Sequence, residues 1–273
     1  WKTKKVVWES KADTPAGFIF KEKEFIVCDE LGDRVVTINK KGSQKEFLSH
    51  PLFNYPHDIT FQNGKYLVTS TGLDAILEFD KHGKLTYQWH SPEWGYNKTP
   101  EGKKRVINYN KDHRGIRYAT LDRTTHINSA IYYDQSSLKI LSTFFHTGQL
   151  VLIDKSLGKP QVVLDGLDHL HAIHKGINNT FILSEAGKNR IHILDNSLNI
   201  IKIFNNTHNC EWIQDSIFTK AGTILIGDAN KTRVLEVTYP EFKLIDEFEY
   251  DDNLKLFKIL DLYGKGISDF VKT

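Results

Sequence analysis

The chain has no methionine, only two cysteines and seven prolines, and no long apolar run in its 273 residues. Each scarcity excludes something. Cys28 and Cys210 are too few for a disulfide framework, and their spacing matches no zinc motif. Cys28, mid-strand in "EFIVCDE", reads as a small buried side chain. No segment approaches the ~20 apolar residues of a membrane helix. Charge of one sign is missing too. The 36 basic and 34 acidic residues are interspersed and leave a formal charge of +2, which is not the clustered basic footprint of a nucleic-acid binder. The nearest approach, Lys103–Lys104–Arg105, reads as part of a solvated loop. No signal peptide is visible, and a start at Trp1 leaves a removed leader open. The sequons at Asn97, Asn178, Asn205 and Asn230 are of a kind that recurs by chance. The expectation is a soluble chain, with cytoplasmic and periplasmic or secreted compartments both open.

What the chain does have is a repeat. Residues 24–42, 65–85, 138–158, 179–200 and 222–244 each read as an apolar strand, a polar Gly- or Asn-bearing turn, and a second alternating strand. Asn39, Asp80, Asp154, Asp195 and Thr238 close that second strand. Their spacing gives a period of about 41 residues, broken by one insertion of roughly 33. A further short strand precedes each unit and another follows it. Four short strands per ~40 residues is the pattern of a β-propeller blade. One such sheet has two apolar faces and needs neighbours to cover them. The expectation is an all-β single propeller domain over residues 1–273, with five blades and six as the alternative. "KKVVWES" (4–10) and the strands "LKLFKIL" and "GISDFV" near the C-terminus are expected to close the ring, which would remove exposed strand edges.

The insertion, about 91–122, is polar with aromatic and basic residues, and long loops of this kind are usually functional or disordered. It reads as a lid or substrate wall, with His113, Arg114, Arg117 and Tyr118 its most site-like residues.

Histidines open three successive blades: His57 in "HDITF", His126 in "HINSAIYY" and His171 in "HAIH". Counting back from the closing residues puts Ala16, His57, His126, His171 and Gln214 in one register, within one or two residues. If first strands face a central channel, three imidazoles converge there. Neutral imidazoles are common metal ligands, and three leave positions open for water or substrate. Zn, Fe or Cu as a divalent transition metal would all suit, since ligand softness does not separate them. His146 is a fourth candidate ligand, and Asn128 and Gln214 are candidate substrate or supporting groups. Asp58 falls on the opposite side of its strand and reads as structural. His82, His90, His192 and His208 read as turn or surface residues, and Asp29, Glu185 and Asp228 as turn caps. A metal-free alternative makes one imidazole a nucleophile or general acid–base.

The segments 56–85, 125–159 and 211–237, above all the His-x-Asn-Ser opening at His126, resemble the propeller domain of the arylsulfotransferase-like family. They are similar more generally to NHL-type propellers, which include a lyase branch whose zinc is held by three channel histidines. The resemblance implies functional histidines at 57, 126 and 171. The sulfotransferase pattern departs at Ser142–Thr143–Phe144, where the family has an arginine and Phe144 can stabilise no oxyanion. Arg114 or Arg117 would have to substitute for it. Three readings follow. A metal-dependent enzyme of lyase, hydrolase or oxygenase type acts on a small polar or aromatic molecule, with His126, Arg114, Arg117 and Tyr118 catalytic. Alternatively a metal-free enzyme transfers a sulfuryl group through a channel histidine, or a non-catalytic propeller binds a ligand or protein. Neither nucleic acid nor membrane is an expected partner.

Overall fold

The computed structural model describes residues 9–206 and 208–249. They form five four-stranded antiparallel sheets, each built from consecutive strands. Blade one comprises β1 (Pro15–Lys21), β2 (Glu24–Asp29), β3 (Arg34–Ile38) and β4 (Gln44–Ser49). Blade two comprises β5 (Pro56–Gln62), β6 (Lys65–Ser70), β7 (Ala75–Asp80) and β8 (Leu85–His90). Blade three comprises β9 (Ile127–Tyr132), β10 (Lys139–Phe144), β11 (Gln149–Asp154) and β12 (Pro160–Leu164). Blade four comprises β13 (Leu170–Lys175), β14 (Phe181–Glu185), β15 (Arg190–Leu194) and β16 (Ile200–Phe204). Blade five comprises β17 (Ile213–Phe218), β18 (Ile224–Asp228), β19 (Arg233–Val237) and β20 (Leu244–Glu249). This is the five-blade reading. Of the expected closing strands, 254–273 and all of 4–10 but its last two residues lie outside the described residues.

The chain divides into two compact units, with blades one to three in Lys11–Leu167 and blades four and five in the unit that begins at Asp168. In each, successive sheets pack through β-branched and aromatic side chains. Leu67, Ile76 and Trp89 of blade two meet Ile127, Tyr132, Ile140 and Phe144 of blade three. Ile182, Ile191 and Ile193 of blade four meet Ile213, Ile224, Ile226 and Leu235 of blade five. Second strands, covered on both faces, are buried almost throughout, which explains their near-continuous apolar runs.

The repeat was visible because its turns are locally encoded. The side-chain oxygens of Asn39, Asp80 and Asp195 each accept the backbone N–H groups two and four residues on. Asp154 accepts from Ser156, and Thr238 from Lys243. These are Asx-type turns, in which a short polar side chain stands in for a backbone acceptor.

A second repeated device was not visible. Asp33, Asp74 and Asn189 sit in the β2–β3, β6–β7 and β14–β15 turns with left-handed backbone, φ 49°, 52° and 51°, a conformation Asp and Asn tolerate. Each side chain accepts a backbone N–H at the start of the next blade: Asp33 from Tyr55 at 2.9 Å, Asp74 from His126 at 2.7 Å, Asn189 from Ile213 at 3.0 Å.

Candidate functional site

Strand pairing revises the histidine register. Pro15, Pro56, Ile127, Leu170 and Ile213 pair with Asp29, Ser70, Phe144, Glu185 and Asp228, and each first strand has a bulge just beyond or beside that pair. The equivalent next residues are Ala16, His57, Asn128, His171 and Gln214. His126 stands two places earlier, level with Thr14, Tyr55, His169 and Trp212. The carbonyls of all five accept the same backbone N–H from the β2–β3-type turn. Tyr55, His126 and His169 share a left-handed φ of 50–51°. The left-handed backbone of His126 is thus a property of the blade start.

In strand register, therefore, His57 and His171 hold equivalent places in their own blades, and in blade three that place belongs to Asn128 rather than to His126. Among the described residues, no group of three or more His, Cys, Asp or Glu side chains is arranged to hold a metal ion. The expected zinc, iron or copper centre on His57, His126 and His171, with His146 as a fourth ligand, is thus not shown among the described residues.

His57 donates from Nδ1 to the Asn128 carbonyl at 3.1 Å. Asp58 behaves as read from the sequence. Its carboxylate accepts the Ser129 hydroxyl at 2.6 Å and the Ala130 N–H at 3.2 Å, tying blade two to blade three. In the other unit, the Gln214 amide donates to His171 Nε2 at 2.9 Å and accepts from Trp212 Nε1 at 2.7 Å. Asn128, His171 and Gln214 are all buried. Asp29 caps its own turn through the Gly32 N–H, whereas Glu185 and Asp228, also expected as turn caps, hold the Asp168 and Glu211 N–H groups ahead of the first strands of their blades.

Two histidines read as surface residues are buried. His192 bonds Glu185 at 2.7 Å, inside blade four. His90 closes β8, stacks on Tyr109 at 3.7 Å, and neither ring nitrogen has a hydrogen-bond partner. Desolvation pushes its pKa down to about 4.

The insertion is anchored on blades one and two. His113 is buried, donates from Nε2 to the Asn108 carbonyl and accepts the Tyr118 hydroxyl at 2.9 Å. Arg105 forms a buried ion pair with Asp74, and its guanidinium lies 5.0 Å from the Tyr118 ring. Arg114 and Arg117, the expected substitutes for the missing family arginine, are both neutralised. Arg114 grips Asp112 and holds that carboxyl down at about 2. Arg117 pairs with Asp33 at 2.7 Å. Phe144 is core, packed between Trp89 and Tyr96.

Where the insertion ends, a different set of residues gathers around His126. Phe145 lies 4.8 Å from its ring and His146 5.2 Å. Arg123, three residues earlier, is only 4% exposed. One guanidinium nitrogen donates to His126 Nδ1 at 3.4 Å and another to the Tyr118 carbonyl at 3.3 Å, and its plane sits 4.4 Å from the Tyr55 ring. His146 donates from Nε2 to the Thr120 carbonyl at 2.9 Å. A guanidinium can only donate, so His126 carries its proton on Nε2. His146 carries its proton on Nε2 as well, which makes its Nδ1 the acceptor. A proton donor and a proton acceptor thus stand side by side, held by unlike partners. Of this cluster, the sequence singled out His126, His146 and Tyr118 as candidates; it did not single out Arg123, Tyr55 or Asp74.

No family model and no curated protein matches the chain. Solved structures do. Virginiamycin B lyase from Staphylococcus aureus superposes with a TM-score of 0.62 at 14% identity, over 89% of this chain and 72% of that one. A nidogen/laminin complex gives 0.61 at 11% identity, over 86% and 80%. Regucalcin from Agrobacterium tumefaciens, described as a calcium-binding protein, gives 0.59 at 14%, over 89% and 77%. The likeness is one of fold. It supports a β-propeller of five blades, and the arylsulfotransferase-like part of the expectation finds no support among these neighbours. Among the described residues, no helix is long and apolar enough to cross a membrane.

Proposed function

We propose that this chain is an enzyme that performs acid–base chemistry on a small polar or aromatic molecule at the His126–His146 pair. The observation that carries the reading is the bond from Arg123 to His126 Nδ1, which fixes one tautomer and presents Nε2–H as a proton donor. Asp74 fixes the backbone of the same residue. Phe145 supplies aromatic surface against His126, and Tyr55 against Arg123. A positioned donor and acceptor of this kind contribute about 10²–10⁴ to a rate. The metal-dependent form of the reading needs three imidazoles on one centre, whereas His126 stands two places before the register position that His57 and His171 hold in their own blades. The acid–base form needs only neighbours in one unit. The lyase among the structural neighbours agrees with an enzyme on this fold, though fold alone decides no chemistry.

The test is turnover of a panel of chromogenic aryl acetates, lactones and phosphates by purified protein, with and without EDTA. The expected result is turnover insensitive to EDTA and reduced about 10²-fold or more in His126→Gln and His146→Gln. Activity abolished by EDTA and restored by zinc, or unchanged in His126→Gln, would overturn the acid–base reading.

A further inference from the structure

We propose that Arg123 is the receptor for an oxyanion carried by the small molecule that the His126 site takes; the inference rests on that reading of the site. The argument starts from a missing counter-charge. Arg123 is buried, yet among the described residues no carboxylate forms an ion pair with it. The contrast with other arginines is direct. Arg105 and Arg233, whose side chains are also largely buried, face Asp74 and Asp228. Arg34, Arg114 and Arg117, far more exposed, still reach Asp29, Asp112 and Asp33.

A guanidinium has five N–H donors. In Arg123 one meets His126 Nδ1 and one meets the Tyr118 carbonyl, while Nε–H has no partner. The two accepting groups are neutral, so they satisfy geometry without balancing charge. Asp74 and Glu30 act on Arg123 only through space. Asp74 is already saturated by Arg105, three backbone N–H groups and the Thr125 hydroxyl. The Tyr55 ring face offsets part of the desolvation of the cation. Burial lowers the pKa of Arg123, but a guanidinium keeps its proton at any physiological pH. A buried, charged group that lacks a partner is costly to keep unless something pairs with it.

The partner that fits is an oxyanion. A planar fork of N–H donors matches a carboxylate or phosphate group in two parallel hydrogen bonds. His126 and Tyr55 are only half-buried, so they mark the side from which such a group reaches the guanidinium. The neighbouring aromatic rings suit an apolar body behind the anion. This places the anion on the guanidinium that holds His126 through Nδ1, so a substrate anchored by its charge would lie in the same cluster as the imidazole.

The test is a titration of ¹⁵N-labelled protein with benzoate, inorganic phosphate and neutral phenol, following the Arg123 Nε–H resonance by NMR, with calorimetry in parallel. Benzoate is expected to bind saturably and shift that resonance, phenol to leave it in place, and Arg123→Gln to weaken benzoate at least tenfold. A shift with phosphate alone would identify a free inorganic anion as the ligand, and a stronger benzoate response an organic one; either supports the receptor. Absence of saturable binding by both anions, an unmoved Nε–H at saturation, or phenol binding as tightly as benzoate would overturn it. The wild-type resonance decides the matter even if Arg123→Gln does not fold. Benzoate binding at Nε–H without turnover would fail the acid–base reading alone, and turnover through His126 without anion binding would fail the receptor alone.

Discussion

The Asp74 carboxylate accepts the backbone N–H of His126 at 2.7 Å, from the turn of one blade to the first strand of the next. The same side chain takes the N–H groups of Thr124 and Thr125, at 2.8 and 2.9 Å, and the Arg105 guanidinium from the insertion. One buried residue therefore sets where the candidate acid stands and how the insertion is moored. Asp74→Asn keeps the shape and removes the charge, leaving Arg105 buried without its counter-ion. Breaking a buried pair in this way costs about 3–5 kcal/mol. Urea denaturation should show that loss, and a cost under about 1 kcal/mol would mean that Asp74 is not the anchor described.

His90 predicts an acid sensitivity. Its folded-state pKa, pushed down to about 4 by burial, lies below the ordinary 6.5. The unfolded chain therefore binds the proton more readily, and stability falls as pH drops from about 6.5 to 4. The stabilisation is complete above 6.5 and the loss amounts to about 3 kcal/mol. Denaturation midpoints at pH 7.5 and 4.5 should differ by more in the wild type than in His90→Phe, which keeps the stack on Tyr109 without the titration. Equal pH dependence in the two proteins would refute the assignment.

Gly17 marks a close approach of blade one to blade two. A Cβ there would lie 2.7 Å from Asp58 Cα and 2.8 Å from the His57 carbonyl oxygen, both backbone atoms that cannot swing aside. Gly17→Ala is expected to cost about 1–3 kcal/mol by overpacking. It should also disturb the Asp58–Ser129 bond, so a thermal shift and the Ser129 amide resonance should move together.

Glu78 is a fully buried carboxylate on β7 that holds Lys65 at 2.9 Å, Lys155 at 2.5 Å, Thr86 at 2.8 Å and the Tyr132 hydroxyl at 2.9 Å. Burial alone would raise its pKa; the donors, Lys155 foremost, more than offset this and hold it low. Glu78→Gln should cost about 3–5 kcal/mol, mostly because Lys155 then stays buried without a counter-charge. Adding Lys155→Met should recover at least half of that. A strictly additive double variant would show the pair to be uncoupled.

The blade pattern could be read from sequence because its turns are written in single residues. Asp80 or Asp195 bonds its own turn and needs no distant partner. The site could not be read as well, for two physical reasons. The first-strand bulges and the β9–β10 turn, Tyr133–Leu138, vary in length from blade to blade. Asp154 lies 26 residues after Asn128, against 23 between His57 and Asp80, so counting back could not single out Asn128 over the nearby His126. Arg123 escaped notice because what distinguishes it is the absence of a carboxylate opposite, which only three-dimensional neighbours reveal. Arg114 and Arg117 were the arginines singled out from the sequence, and their partners, Asp112 and Asp33, neutralise them.

The turn residues Asp33, Asp74 and Asn189 have one more consequence. Each belongs by chain order to one sheet and does its bonding at the entrance to the next. The stabilising repeat is consequently out of phase with the structural one, running from the second turn of one blade to the first strand of its successor. Cutting the chain cleanly between sheets would separate a latch from its catch. A fragment beginning at blade two would keep every strand of that sheet and still lack the residue that fastens Tyr55.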